Sequence, residues 1–104
     1  MKLNDLDYNK VYSIKLASGE EMITRVKENE TNKDYLVISE PVSVAPGPQG
    51  MGLVPSIFTA DPAGEFRLNK NSIVMICETE YNIKTKYTEA VSGIKVPEKK
   101  IILG

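Results

Sequence analysis

The alternation of residues 11–28 constrains this chain more than any other feature. Tyr12, Ile14 and Leu16 fall on one side of an extended segment, and Val11, Ser13 and Lys15 on the other. Apolar residues at every second position are what a strand with one buried face requires. Ser18-Gly19 interrupts the pattern, and glycine accepts the positive φ of a tight turn at little cost. Met22, Thr24 and Val26 then alternate with Ile23, Arg25 and Lys27. The pattern predicts a hairpin of two strands, at residues 11–17 and 20–28.

Residues 29–34 are all polar and read as a loop. Residues 35–45 return to β character, with Leu36, Ile38, Val42 and Val44 sharing one parity. Pro41 has no N–H for a ladder, so the strand bends, bulges or lies at an edge there. Pro46-Gly47-Pro48-Gln49-Gly50 reads as a mobile loop, residues 51–60 as a fourth strand, and Asp61-Pro62-Ala63-Gly64 as a turn. After a polar stretch at residues 65–72, residues 73–77 form a short buried strand ending at Cys77, which is expected to be a core cysteine.

The period then changes. Ile83, Tyr87, Ala90, Val91 and Ile94 make one helical stripe, and Glu80 and Lys84 form an i, i+4 pair. A helix is expected at about residues 79–92, ended by Gly93 in a left-handed cap. Its stripe is expected to cover an open end of the sheet or, alternatively, to dock a partner protein. Residues 95–104 form a tail whose Ile101-Ile102-Leu103 is too apolar to be idle.

Composition narrows the function. At 104 residues, 41% hydrophobic and 26% charged, the chain fits a single globular domain, 1–104. No apolar run reaches the roughly 18 residues that cross a bilayer, so no membrane role is expected. The N-terminus lacks the basic start and apolar stretch of a signal peptide, and a cytoplasmic location is expected. One cysteine excludes an internal disulfide. With no histidine there is no histidine-based triad or histidine metal ligand. Glu20 and Glu21 are consecutive on a strand and face opposite ways, so they do not form a catalytic pair. No catalytic residues, metal ligands or cofactor are expected. A net charge of −1 means that any nucleic-acid contact must come from a local patch. Five short strands predict an all-β fold, a small bent antiparallel sheet or open barrel, with the one helix C-terminal. Its free edges invite pairing with other copies into a ring or a fibre.

Residues 12–26, from Tyr12-Ser13-Ile14 through Ser18-Gly19-Glu20 to Arg25-Val26, resemble the first half of the first motif of Sm-like (LSm) proteins. Tyr35-Leu36-Val37-Ile38-Ser39-Glu40-Pro41 looks like that motif's third strand, and Leu68-Asn69-Lys70-Asn71-Ser72-Ile73-Val74-Met75-Ile76 is similar to the second motif. The resemblance spans about residues 10–77 and is nearest in style to Sm-like proteins of large tailed bacteriophages, including those of marine cyanobacteria. It implies a five-stranded Sm-like open barrel and a homo-oligomeric ring in which the fourth strand of one subunit pairs with the fifth of the next. It also implies binding of short single-stranded RNA, in a host-cell cytoplasm if the origin is phage. The strands at the ring contact would lie near residues 51–60 and 73–77, making Leu53, Ile57, Ile73, Val74 and Met75 the interface candidates.

The RNA-binding candidates are Lys33 and Tyr35, beside Asn32 in one loop, and Arg67, Asn69 and Lys70 in another. Single-strand binding uses an aromatic stacking surface beside a positive track, which these residue types can supply. In an Sm-like ring both loops face the pore. The alternative for Tyr35 is packing under the sheet, with the lysines solvated. The chain also departs from the family. Lys27 or Glu28 stands near the usual aspartate, Tyr35 near the usual asparagine, and Asn69-Lys70 where Arg-Gly is usual. Two functions are therefore carried forward: a non-catalytic RNA-binding ring, and a structural or protein-interaction ring that has lost the RNA site.

Overall fold

The hairpin expected from the alternation forms the centre of the sheet. The computed structural model describes residues 3–30 and 33–94; the tail at residues 95–104 and Asn32 lie outside the described residues. Strand β1 is Val11–Leu16 and β2 is Glu21–Glu28, antiparallel, with Val11 opposite Arg25 and Lys15 opposite Glu21. Gly19 takes a φ of 94° between them, and its N–H donates to the Leu16 carbonyl at 2.9 Å. The long β3 is Tyr35–Gly47, followed by β4 at Gly50–Pro55, β5 at Glu65–Asn69 and β6 at Ile73–Glu78. The strands run in the order β4-β3-β2-β1-β6, with β5 also paired to β3, and every pairing is antiparallel. β5 and β6 do not pair with each other, so the sheet is not closed.

One face of the sheet curls around a cluster of Leu6, Tyr12, Ile14, Met22, Val26, Leu36 and Ile38. Phe66 and Leu68 from β5 and Ile73 and Ile76 from β6 pack against it from both ends of the sheet. Leu6 follows a one-turn 3-10 helix at Leu3–Asp5 and fills the same core, so the polar-looking N-terminus contributes a plug. The Tyr12 hydroxyl accepts from the Asp7 N–H at 2.8 Å and ties that segment to β1.

Leu36 and Ile38 share parity with Val42 and Val44, yet the two pairs lie on opposite faces. The cause is a β-bulge. Ser39 lies opposite Arg25 and Val42 opposite Ile23, so Glu40 and Pro41 together face the single residue Thr24. Glu40 takes a left-handed φ of 54°, which costs a non-glycine residue about 1–2 kcal/mol. Two side chains bond to carbonyls at the bulge. The Thr24 hydroxyl donates to the Ser39 carbonyl at 2.9 Å, and the Tyr87 hydroxyl to the Glu40 carbonyl at 2.7 Å. Arg25 Nε reaches Glu40 Oε1 at 3.4 Å.

Tyr87 belongs to helix α1, Tyr81–Ile94. A helix of 14 residues is marginal alone in water, so packing must hold it. Tyr87 and Val91 are buried against Val11, Ile23 and Val42, with Ile83, Val44 and Leu53 at the margin. Of the stripe read from the sequence, Tyr87 and Val91 are buried and Ile83 partly so, across the second face of the sheet rather than over an open end of it. Glu80 does not pair with Lys84 as expected; its Oε1 caps the helix, accepting from the Ile83 N–H at 3.0 Å. The helix also continues through Gly93 to Ile94.

Other expectations need correction. The proline–glycine stretch is a hairpin tip, with Pro48 and Gln49 as the turn, Gly47 opposite Gly50, and Gly50 at a φ of 104°. The strand expected at residues 51–60 stops at Pro55. The polar stretch 65–72 contains β5 and a 3-10 turn at Lys70–Ser72. In β5, Phe66 and Leu68 alternate inward, a pattern hidden by Glu65, Arg67 and Asn69 between and around them. β6 is not a buried strand. It pairs with β1 alone, and Val74, Met75 and Cys77 are exposed, so Cys77 is not a core cysteine.

Burial, and then the nearby Glu40 carboxylate, raise the Tyr87 phenol above its ordinary pKa of 10.0. Replacing Tyr87 by Phe leaves the Glu40 carbonyl without this donor, and should lower stability by about 1–2 kcal/mol near pH 7 in urea unfolding. The unfolded chain ionises this phenol near pH 10 while the folded chain keeps it protonated. The advantage over Tyr87→Phe should therefore be complete below about pH 10 and shrink as pH rises beyond it. A constant difference from pH 7 to 11 would contradict the assignment.

Candidate nucleic-acid interface

The pairing of β3 with β5 assembles the candidate residues. Tyr35 lies opposite Asn69 and Val37 opposite Arg67, so Tyr35 and Arg67 are diagonal neighbours across the ladder. The Arg67 guanidinium carbon sits 5.3 Å from the centroid of the Tyr35 ring, within cation–π range. Tyr35 is half-buried and Arg67 exposed. Two strands, whose ring and cation are more than thirty residues apart in sequence, thus present them as one surface.

Lys70 and Lys33 meet at one backbone oxygen. Lys70 Nζ donates to the Glu30 carbonyl at 2.7 Å, and the Lys33 N–H donates to the same carbonyl at 3.1 Å. The Lys70 N–H also donates to the Asp34 carbonyl at 2.9 Å, pinning the β2–β3 connection to the end of β5. Lys70 is half-buried, and its ammonium straps a loop rather than standing free in solvent. Asn69 is exposed, but its Oδ1 caps the 3-10 turn by accepting from the Asn71 N–H at 2.9 Å. Lys33 is exposed, as are Glu30 and Asp34 in the same loop. Lys33, Arg67 and Lys70 therefore share this end of the sheet with two carboxylates.

The interface candidates divide. Leu53 is half-buried beside Val44 on the helix side, and Ile73 is half-buried against the barrel cluster. Ile57, Val74 and Met75 are 52%, 61% and 69% exposed. Val74 is the extra residue of a second bulge, since Leu16 lies opposite Ile73 and Lys15 opposite Met75. The outer edge of β6 thus shows apolar side chains without the lysines or prolines that commonly blunt free edges.

Sequence reasoning missed a cleft of about 290 Å³ on the helix side. Ile23, Val44, Leu53, Ile83 and the exposed Met51 give it an apolar floor, and Cys77 lies on its wall. The signal was the pairing of Val44 with Leu53, visible once Pro48-Gln49 is recognised as a two-residue turn. Among the described residues, no group of three or more His, Cys, Asp or Glu could hold a metal ion, and no helix is long and apolar enough to cross a membrane. No protein-family model matches the chain, and no curated protein matches it.

If Lys70 straps the loop, Lys70→Met should speed hydrogen exchange at the Lys33 amide severalfold while changing global stability by no more than about 0.5 kcal/mol. An unchanged Lys33 exchange rate would remove the strap.

Proposed function

We propose that this chain is a subunit of an Sm-like ring that binds single-stranded RNA without catalysis. The observation that carries the reading is the Tyr35–Arg67 pair, with Lys33 and Lys70 beside it on two adjoining connections. A π face with a flanking guanidinium suits base stacking, and the exposed Lys33 suits phosphate. A subunit of net charge −1 gains a useful field by repeating this cluster around an axis. The helix-side hairpin strand β4 is an addition to the five strands β1, β2, β3, β5 and β6. On this reading the ring contact joins β5 to the neighbour's β6, moving the fourth-strand contact from residues 51–60 to Glu65–Asn69. The exposed Val74 and Met75 support assembly through β6.

The second reading is a structural or protein-interaction ring. It is favoured by the internal use of Asn69 and Lys70, which respectively cap a turn and strap a loop. Both readings fit a location in the cytoplasm of a phage-infected host.

Labelled A-rich and U-rich RNA should be titrated at two salt concentrations, with the oligomer mass recorded on each sample. The RNA reading expects micromolar or tighter binding by the oligomer, weakened by salt. Arg67→Glu should weaken binding and reduce the salt slope by about 0.7 for each phosphate that is no longer neutralised. An oligomer indifferent to both RNAs selects the second reading. Val74→Lys with Met75→Lys should reduce the assembly to single subunits that keep the native circular-dichroism spectrum, because both side chains are exposed in the subunit. A double variant that retains the assembled mass rules out β6 as the contact.

A further inference from the structure

Helix α1 crosses the strands instead of running along them. Thr79, just before it, donates its N–H to the Val11 carbonyl of β1 at 3.3 Å, and Tyr87, farther along, donates to the Glu40 carbonyl of β3. The helix covers Val11, Ile23 and Val42, with Val44 and Leu53 only at its margin. The cleft lies beside it on the same face. Its lining takes Met51 from β4, Val44 from β3, Ile23 from β2, Ser13 from β1 and Cys77 from β6, with Ile83 as the helix wall. A cleft that touches these five strands in turn is a groove running across the sheet, along α1.

The spacing of the groove is that of a second helix. Packed helices lie about 8–10 Å apart, axis to axis. Ser13 and Lys15 stand farther along β1 from Val11, by about 7 and 14 Å at the rise of a strand. A helix packed beside α1 would rest between those two levels, where the groove lies. Four strand spacings separate β4 from β6, about 19 Å in all. At the helical rise, about 13 residues cover that length. The second face is thus a two-helix layer with one place filled by α1.

The side chains define what fits the other place. Ile23, Val44 and Leu53 make an apolar floor, and Met51 at the end of the groove is 68% exposed. Methionine adapts to irregular apolar partners and is common on surfaces that receive helices. The rim is acidic, with Glu21, Glu78 and Glu80 against the single lining cation Lys86. Glu78 also bonds Lys10, and Glu80 caps α1, each through Oε1. This rim repels nucleic acid, and it repels the same groove of a second copy. It attracts a partner whose apolar stripe is flanked by positive charge.

We propose that this groove is the docking site for a basic amphipathic helix, about 13 residues long, of a partner protein. Its apolar stripe lies on Ile23, Val44, Leu53 and Met51, and its lysines or arginines meet Glu21 and Glu80. The inference does not depend on RNA binding or on ring formation.

Cys77, the chain's one cysteine, reports on occupancy because it is exposed and lies in the groove wall. The probe is a synthetic peptide of the proposed length, with leucines at i, i+3, i+4 and i+7, lysines on the flanks and alanine elsewhere. Added to the full chain at low salt, it should slow the reaction of Cys77 with dithionitrobenzoate to a saturating limit. Met51→Asp should raise the peptide concentration for half protection on the order of tenfold, and Glu21→Lys about fivefold. Both residues are exposed, so both variants should keep the native circular-dichroism spectrum. Absence of protection overturns the proposal. So does equal protection by a peptide with glutamate in place of lysine. Protection unchanged in both variants places the peptide elsewhere, for example at Val74 and Met75, and overturns the site. Protection that grows with protein concentration in the absence of peptide overturns it in favour of a second copy.

Discussion

Two residues of β3, Glu40 and Pro41, stand where the ladder allows one, and the two-sided character of the domain depends on that excess. Without it the apolar parity of β3 would remain on one face. With it, Leu36 and Ile38 face the barrel cluster and Val42 and Val44 face the helix. The left-handed turn at Glu40 is unfavourable by itself, and two side-chain hydroxyls bond to carbonyls at the bulge. Thr24 donates to Ser39 from within the sheet, and Tyr87 donates to Glu40 from α1. The helix is thus joined to the sheet by apolar contact and by a directed hydrogen bond to the bulge. The hydroxyl makes the docking specific in position, while Val11, Ile23, Val42, Val91 and the Tyr87 ring supply the buried apolar contact.

The strands with uninterrupted alternation were legible in the sequence: β1, β2 and the first half of β3, with the glycine turn between the first two. The helix was legible through its stripe, and the bulge through Pro41. What could not be read was which face each stripe would meet. A one-residue excess reverses parity, and the pattern of Val42 and Val44 carries no mark of the reversal. β5 was missed because two inward side chains among charged neighbours make a weak signal. β6 was misjudged for the opposite reason: an apolar run looks buried, but its burial depends on neighbours, and this strand has one partner. The same dependence misplaced Cys77.

The candidate site was legible as two loops of suitable composition, and the register of β3 against β5 explains why they adjoin. What the sequence could not disclose is how far these polar groups serve the fold. Asn69 caps a turn and Lys70 holds the β2–β3 connection, so the groups with ligand chemistry also have structural duties. Under the proposed RNA reading, Tyr35 and Arg67 are the better placed pair, because their mutual contact leaves Arg67 exposed. The cleft adjoins Val44, near the far end of β3 from Tyr35, so an occupant of the cleft and a ligand at Tyr35 and Arg67 would occupy separate surfaces.

The 13 residues of β3 are common to both hydrophobic clusters. This has a consequence for fidelity during folding. A slip of one position in the pairing of β3 would withdraw Leu36 and Ile38 from one cluster and Val42 and Val44 from the other at the same time. It would also carry the Glu40 carbonyl away from Tyr87. A single strand thereby acts as a proofreading element: a misaligned chain cannot keep one lobe while losing the other, and the penalties fall together on the same error.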